Sequence, residues 1–354
     1  MEQKIFKFPS IEQLRNVIQQ VAHKARYRGD DENGQPIYED CPLPTLDFIG
    51  TVKLHGTNAS VIYVWNPLTF EYEFYTQSRE NIITPERDNA GFAAFMYTSD
   101  TDALLAKIMK AVSDDAGYTP EVIRVYGEWC GGNIQKGVAI NGLDKMFVIF
   151  AIKLDNKWLT NAELVSIKIP EKKIYNILDY DNYQISIDFN NPQLAVDEIS
   201  KMITEVEKEC PVGKAFGKNG IGEGIVFKCV TEGWTESRYW FKAKGDEHKA
   251  SKTKEKVPIN VERVNNMKEL VNNLVTESRL LQGLDHLREE QLTIDRKNLG
   301  KFLQWIYKDI VKEELDTIMA NGFEPKEISG AVSNKAREWF FDYELKQVGL
   351  TNNN

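Results

Sequence analysis

The segment TVKLHGTNASVIYV places Lys53 at the end of one β-like run, with a Gly-Thr-Asn turn leading into the next. A lysine presented from a tight turn can approach a phosphate closely, because Gly56 removes a side chain and permits unusual backbone angles. Alone, a lysine beside such a turn is an ordinary surface residue. The chain adds further groups in order: Glu128 in VYGEWCGG, the aromatic run MFVIFAIKL, Glu223 and Lys228 in GIGEGIVFK, and Lys242 and Lys244 in RYWFKAK. An amine nucleophile, hard carboxylate oxygens and several cations are what phosphoryl transfer requires, since its main demand is compensation of charge on the group in flight.

In this order and at these separations, the segments resemble the covalent nucleotidyltransferase superfamily of ligases and capping enzymes. The run Lys53-Leu54-His55-Gly56-Thr57-Asn58 is similar, more narrowly, to the RNA ligase 2 family of phage RNA ligases and RNA-editing ligases. DNA ligases and capping enzymes typically have Asp where His55 stands. Gln77-Ser78-Arg79, Tyr126-Gly127-Glu128, Glu223-Gly224-Ile225-Val226-Phe227-Lys228 and Lys242-x-Lys244 extend the resemblance over roughly residues 46 to 245. Two positions depart from it: Val52 stands where family members often carry Glu, and Phe150-Ala151-Ile152 lacks an Asp often seen in the middle.

The resemblance implies an ATP-dependent RNA ligase. Lys53 would take AMP from ATP, pass it to a 5′-phosphate end, and a 3′-hydroxyl would then displace it. An unperturbed lysine has a pKa of about 10.4, so a neutral amine must be favoured by nearby positive charge, from a metal ion or from Lys242 and Lys244. His55 would act on the pyrophosphate or orient phosphates. Lys53, Asn58, Arg79, Glu128, Phe150, Glu223, Lys228, Lys242 and Lys244 would contact ATP, with Phe150 stacking on adenine and Phe147, on the opposite strand face, as the fallback. Glu223 and Glu128 would hold Mg²⁺ or Mn²⁺, the former as metal ligand and the latter as ribose or outer partner. The implied partners are RNA ends, nicked or structured, in RNA repair by a monomer. A DNA ligase, a GTP-using capping enzyme and a non-catalytic RNA-binding protein on a ligase scaffold are the alternatives.

These groups need a scaffold, and apolar patterning supplies one. Ile11, Leu14, Val17, Ile18 and Val21 recur at helical spacing after Ser10, a candidate N-cap, predicting a helix from Ile11 to about Ala25. RGDDENGQPIYEDCPLP then reads as a polar loop. Runs rich in Val, Ile, Tyr, Phe and Trp predict strands over Ala59–Val64, Glu71–Tyr75, Val122–Tyr126 and Met146–Leu154. Helical interludes are expected over Ala103–Val112 and Gln193–Glu209. The lysine-rich stretch from Lys242 to Lys256 ends in a linker that could also line an RNA groove. Beyond it Val264, Met267, Val271, Leu274 and Val275 share one helical face, and Phe302, Leu303, Ile306, Ile310, Leu315 and Ile318 another. The expected fold is α+β: residues 1–45 a helix and loop extension, 46–250 a mainly antiparallel nucleotidyltransferase domain, and 258–354 a small all-helical domain adding RNA contacts.

Composition sets outer limits. With 354 residues, 42% hydrophobic and 27% charged, the chain can bury two cores. A net charge of −9 argues against a sequence-independent nucleic-acid coat protein, so any nucleic acid must be gripped by a local basic patch. Cys41, Cys130, Cys210 and Cys229 form no CxxC pair and do not cluster with histidine, which argues against a zinc site or a disulfide framework. Neither a membrane span nor a secretion signal is visible, so a cytoplasmic location is expected, that of a host cell for a phage-encoded chain.

Overall fold

Along Thr45–Lys53 (β3) the residues Leu46, Phe48, Gly50 and Val52 are buried on one face, while Thr51 and Lys53 point to the other. That period of two lets one strand serve a core and a site together. The computed structural model describes residues 3–88, 90–112, 118–135, 137–245 and 263–351, apart from the side chains of 263–266 and 347–351. Two compact units, Met1–Gly245 and Asp246–Asn354, make up the chain.

The first unit holds two main sheets. Strand β3 lies between β11 (Asn182–Asp188) and β12 (Gly224–Cys229), and β13 (Phe241–Lys244) pairs with β12, all antiparallel. The larger sheet runs β10 (Ile174–Asn176), β8 (Met146–Leu154), β7 (Val122–Cys130), β4 (Thr57–Asn66), β5 (Glu71–Ser78) and β6 (Ile82–Ile83), with β9 (Lys157–Trp158) beside β8. Its pairs are antiparallel except β10 with β8. One core packs the apolar face of the smaller sheet against the helices Leu14–Arg26 and Gln193–Lys208 through Val17, Val21, Ile199 and Val206. A second core covers the far face of the larger sheet with the helices Phe92–Tyr97 and Thr101–Ala111. Of the expected strands, all four are present, β4, β5 and β7 running several residues longer.

Two expectations before residue 45 are corrected. The opening helix starts at Leu14, without a side-chain cap from its N-cap Gln13, because Glu12 is drawn into backbone pairing with the smaller sheet. The polar loop is a hairpin of β1 (Tyr27–Asp30) and β2 (Pro36–Tyr38), turned by Asp31, whose Oδ1 accepts from the backbone of Asn33 and Gln35 at 2.8 Å each.

The second unit is helical: Arg263–Leu274, Glu277–Glu289, Leu299–Ala320 and Pro325–Thr351. Its core gathers Val271, Leu274, Val275, Phe302, Ile306, Ile310 and Ile318, while the expected Val264 side chain lies outside the described residues. Leu315 is 43% exposed, against expectation. Glu314 takes the inward position instead, halfway between Ile310 and Ile318, where its backbone leaves the helical region (φ −130°). The cause is Arg279, fully buried, whose guanidinium meets Asp309 at 2.8 Å and Glu314 at 3.6 Å and donates to the Leu274 carbonyl. Among the described residues no helix is long and apolar enough to cross a membrane.

Replacing Arg279 by Ala strands two carboxylates in or beside this core, which is expected to destabilise the helical unit by about 3–5 kcal/mol. Urea unfolding followed by helix-specific hydrogen exchange measures it; protection unchanged in Glu277–Glu289 and Leu299–Ala320 would contradict the assigned role.

Candidate active site

Register brings the charged residues together. Lys53 is paired with Gly224, and Gly224 with Lys244, so three neighbouring strands present Lys53 and Lys244 on one face of the smaller sheet. Strand alternation adds Lys228 and Lys242 to that face. Gly224 is required at the centre, since it has φ +150° and a Cβ there would fall 2.2 Å from the Ala243 carbonyl oxygen. Immediately before it, Glu223 is 3% exposed and binds both lysines: Lys53 Nζ at 2.7 Å, Lys244 Nζ at 3.0 Å, with His55 Nδ1 3.3 Å away. Burial alone would raise the Glu223 carboxyl, but the positive charge of Lys53 and Lys244 and a hydrogen bond from His55 outweigh it and hold the group well below the usual carboxylate range. Burial and neighbouring lysines in turn lower Lys244, with Glu223 acting against them.

The turn Leu54–Gly56 carries the chain from this sheet into β4 of the other. There Asn58 lies opposite Glu128 on β7. Glu128 accepts the Gly56 N–H at 2.9 Å, and a Cβ on Gly56 would stand 2.4 Å from the Trp129 carbonyl oxygen, so close approach, not an unusual angle, explains the glycine. Burial pushes the Glu128 carboxyl up to about 7, helped by the charge of Glu223 and opposed by Lys53 and His55. The Oδ1 of Asn58 is buried with no hydrogen-bond partner among the described residues.

Deeper along the same face, Lys228 donates to the Phe150 carbonyl and lies 4.8 Å from the ring centre of Trp240; its burial lowers the amine to about 7. Phe8 packs at 4.9 Å on Phe150 and at 5.1 Å on Tyr126, with Trp158 and Trp240 closing the box at 5.9 and 6.2 Å. The donor set suits a hard divalent cation, because Glu128 lies near enough to Glu223 to feel its charge and Mg²⁺ takes only one or two protein carboxylates. Among the described residues no group of three His, Cys, Asp or Glu side chains gathers.

The family profile described as RNA ligase matches residues 46–244, which span β3 to β13 and contain every residue just placed around Glu223. The chain belongs to the RNA ligase family. Solved structures similar to it include an RNA ligase of Naegleria gruberi, in a variant with ATP and Mn, at 16% identity and a TM-score of 0.41 over 69% of this chain and 57% of that one. The same organism's RNA ligase with PPi matches at 18% identity and a TM-score of 0.39, covering 69% and 56%. This chain thus spans a little over half the length of those chains. No curated protein matches it.

Against the family reading, the structure gathers Lys53, His55, Glu223 and Lys244 directly, places Asn58 and Glu128 through the turn, and joins Lys228 to Phe150. Lys242 shares the face of Lys244. Arg79 is not brought to Lys53 by any contact among the described residues; its ion pair is with Glu80 at 3.9 Å. Phe147 is fully buried in the far-side core, 4.9 Å from Phe92, and so is no alternative to Phe150. Phe8, Trp158 and Trp240 were not among the residues that the sequence singled out. No local pattern marks Phe8, since in Lys4-Ile5-Phe6-Lys7-Phe8 two apolar residues are adjacent and the period of two is broken.

Glu128 and Glu223 have opposite effects on stability. Between about pH 4.5 and 7 the folded chain binds more protons at Glu128 than the unfolded chain, so this group lowers stability as pH rises through that window. Glu223, depressed when folded, contributes stability that is lost as pH falls below about 4.5. Glu128→Gln is therefore expected to flatten the slope between pH 4.5 and 7 in denaturant titrations and leave the acid limb in place; an unchanged slope would exclude a raised Glu128.

Proposed function

We propose that the chain is an ATP-dependent RNA ligase that joins 3′-hydroxyl and 5′-phosphate ends through a lysyl-AMP intermediate on Lys53. The observation that carries this reading is the ion cluster of Lys53, Lys244 and His55 on Glu223, inside the segment that matches the RNA ligase family. The cluster supplies a nucleophile beside fixed positive charge.

In the first step the Lys53 amine forms a bond to the α-phosphorus of ATP and pyrophosphate leaves with the displaced electron pair. Lys53 must be neutral to attack, and at rest it is ion-paired with Glu223 at 2.7 Å, so ATP has to loosen that pair. Lys242 and Lys244 face the same space and would neutralise the phosphates, while His55 lies beside the nucleophile to orient the leaving group. A divalent ion on Glu128 and Glu223 would add positive charge at the phosphates. Phe150 would stack on the purine, Lys228 would meet its edge, and the unpartnered Asn58 Oδ1 would accept from a sugar hydroxyl. AMP then passes from Lys53 to a 5′-phosphate oxygen, the P–N bond breaking as the anhydride forms. Attack by a 3′-hydroxyl finally forms the phosphodiester and releases AMP. RNA repair at nicked or structured ends is the role this chemistry suits.

Lys53→Ala is expected to abolish the AMP adduct formed with labelled ATP, because alanine cannot form the phosphoramide bond. The variant should still join a strand that already carries a 5′-adenylate, within about tenfold of the parent, since that step breaks no lysine bond. Adduct formation with GTP in place of ATP, or AMP mapped to another lysine, would overturn the reading.

Sugar preference provides a second test. A 3′-terminal ribonucleotide presents its 2′-hydroxyl in the shallow groove of an A-form end, whereas contacts to the 5′-phosphate carry little information about the sugar. With four nicked duplexes, RNA or DNA placed independently on each side, sealing is expected to require RNA on the 3′-hydroxyl side only. Equal sealing of the all-DNA nick would point to a DNA ligase.

A further inference from the structure

The chain ahead of the helix Leu14–Arg26 crosses from the larger sheet to the smaller one, over the face that holds the site. At its start Tyr75 of β5 grips Lys4, its hydroxyl accepting from the Lys4 N–H at 3.3 Å and donating to the Lys4 carbonyl at 2.7 Å. Two residues along β5, Gln77 does the same to Phe6: Oε1 accepts the Phe6 N–H at 3.0 Å and Nε2 donates to the Phe6 carbonyl at 2.8 Å. At the other end Glu12 bridges Phe241, and its carbonyl accepts the Lys242 N–H at 2.8 Å.

The spacing is meaningful. Tyr75 and Gln77 share a strand face, Lys4 and Phe6 share a phase of an extended segment, and Phe8 is the next residue in that phase. A carboxamide matches a peptide unit in carrying one acceptor beside a donor, so Gln77 imitates a strand partner and fixes the segment at two points, where a single bond would leave it free to rotate. Gln77 is 0% exposed, leaving its amide no water with which to exchange. Phe6, thus held, lies 4.4 Å from the Arg124 guanidinium, and Phe8 is delivered among Phe150, Tyr126, Trp158 and Trp240.

We infer that Gln77 is a positioning residue for nucleotide binding: its paired hydrogen bonds to Phe6 set the N-terminal segment so that Phe8 walls the pocket beside Phe150. This rests on the reading of Phe150 as the purine-stacking ring. Gln77 touches no substrate; it acts through the segment, and Tyr75 acts in the same way one step earlier.

The test is the ATP dependence of Lys53 adenylation in the full chain, measured for single and double variants. Gln77→Leu, which removes both hydrogen bonds, is expected to raise the half-saturating ATP concentration about tenfold, with the saturated rate changed by less than about threefold. Phe8→Ala should raise it at least as much, and the Gln77→Leu, Phe8→Ala double variant should be no weaker than Phe8→Ala alone, because Gln77 works through Phe8. Tyr75→Phe, which keeps ring and volume, should shift it in the same direction by a few-fold and decides the matter if Gln77→Leu does not fold. A purely structural Gln77 would lower stability without moving ATP half-saturation, or its effect would multiply with that of Phe8→Ala; either overturns the inference. Phe150→Ala separates the two layers. If it weakens ATP while the Gln77, Tyr75 and Phe8 variants do not, the inference alone fails; if it leaves ATP binding unchanged, the stacking reading fails and takes the inference with it.

Discussion

One buried carboxylate organises the catalytic unit. Glu223 sits where taking an anion out of water costs several kcal/mol, and the three cationic or protonatable groups around it offset that cost. Those groups come from two strands and a turn, and Glu223 leads into a third strand, so the register of β3, β12 and β13 is fixed by electrostatics at one end and by apolar contact at the other, where Phe227 and Phe241 stack at 4.8 Å. Lys53 is thereby held in an ion pair; under the proposed mechanism, nucleotide phosphates would compete for the same cations and release it.

Around that centre the fold separates charge from apolar surface by alternation alone. The smaller sheet gives one face to the helices and the other to four lysines, an arrangement in which like charges would repel were Glu223 absent. Lys228 lies furthest from it, and burial rather than a partner charge lowers its amine toward neutrality. A neutral amine can accept as well as donate, which suits the polar edge of a base better than a phosphate.

Much of this was legible in the sequence because spacing within a strand maps directly onto a face. Lys53, Glu223, Lys228, Lys242 and Lys244 stand within single strands or beside them, and their convergence needed only the pairing of those strands. The Lys53 turn announced itself through Gly56, though the true reason for the glycine, a carbonyl of Trp129 pressed against it, belongs to a strand far along the chain. Long-range partners left no local trace: Phe8 joins Phe150 across the chain, and Glu12 is removed from its helix by β13. The misjudged Leu315 has a similar origin. A helical period assigns it to the core, but a buried Arg279 claims Glu314 for that position and turns the helix.

The three-residue turn from Lys53 to Thr57 is a splice between two sheets, and its length is dictated from both sides. Lys53 belongs to the smaller sheet, whereas Asn58 is already in register with Glu128 of the larger one. An inserted or deleted residue could not be absorbed as slack. It would slip β4 by one position and exchange its faces, turning Asn58 and Ser60 into the far-side core and bringing Ala59, Val61 and Tyr63 out onto the face that carries Asn58 and Glu128. Loop length here is thus as much a part of the chemistry as the side chains it connects, and recombination between related chains would have to keep this splice whole.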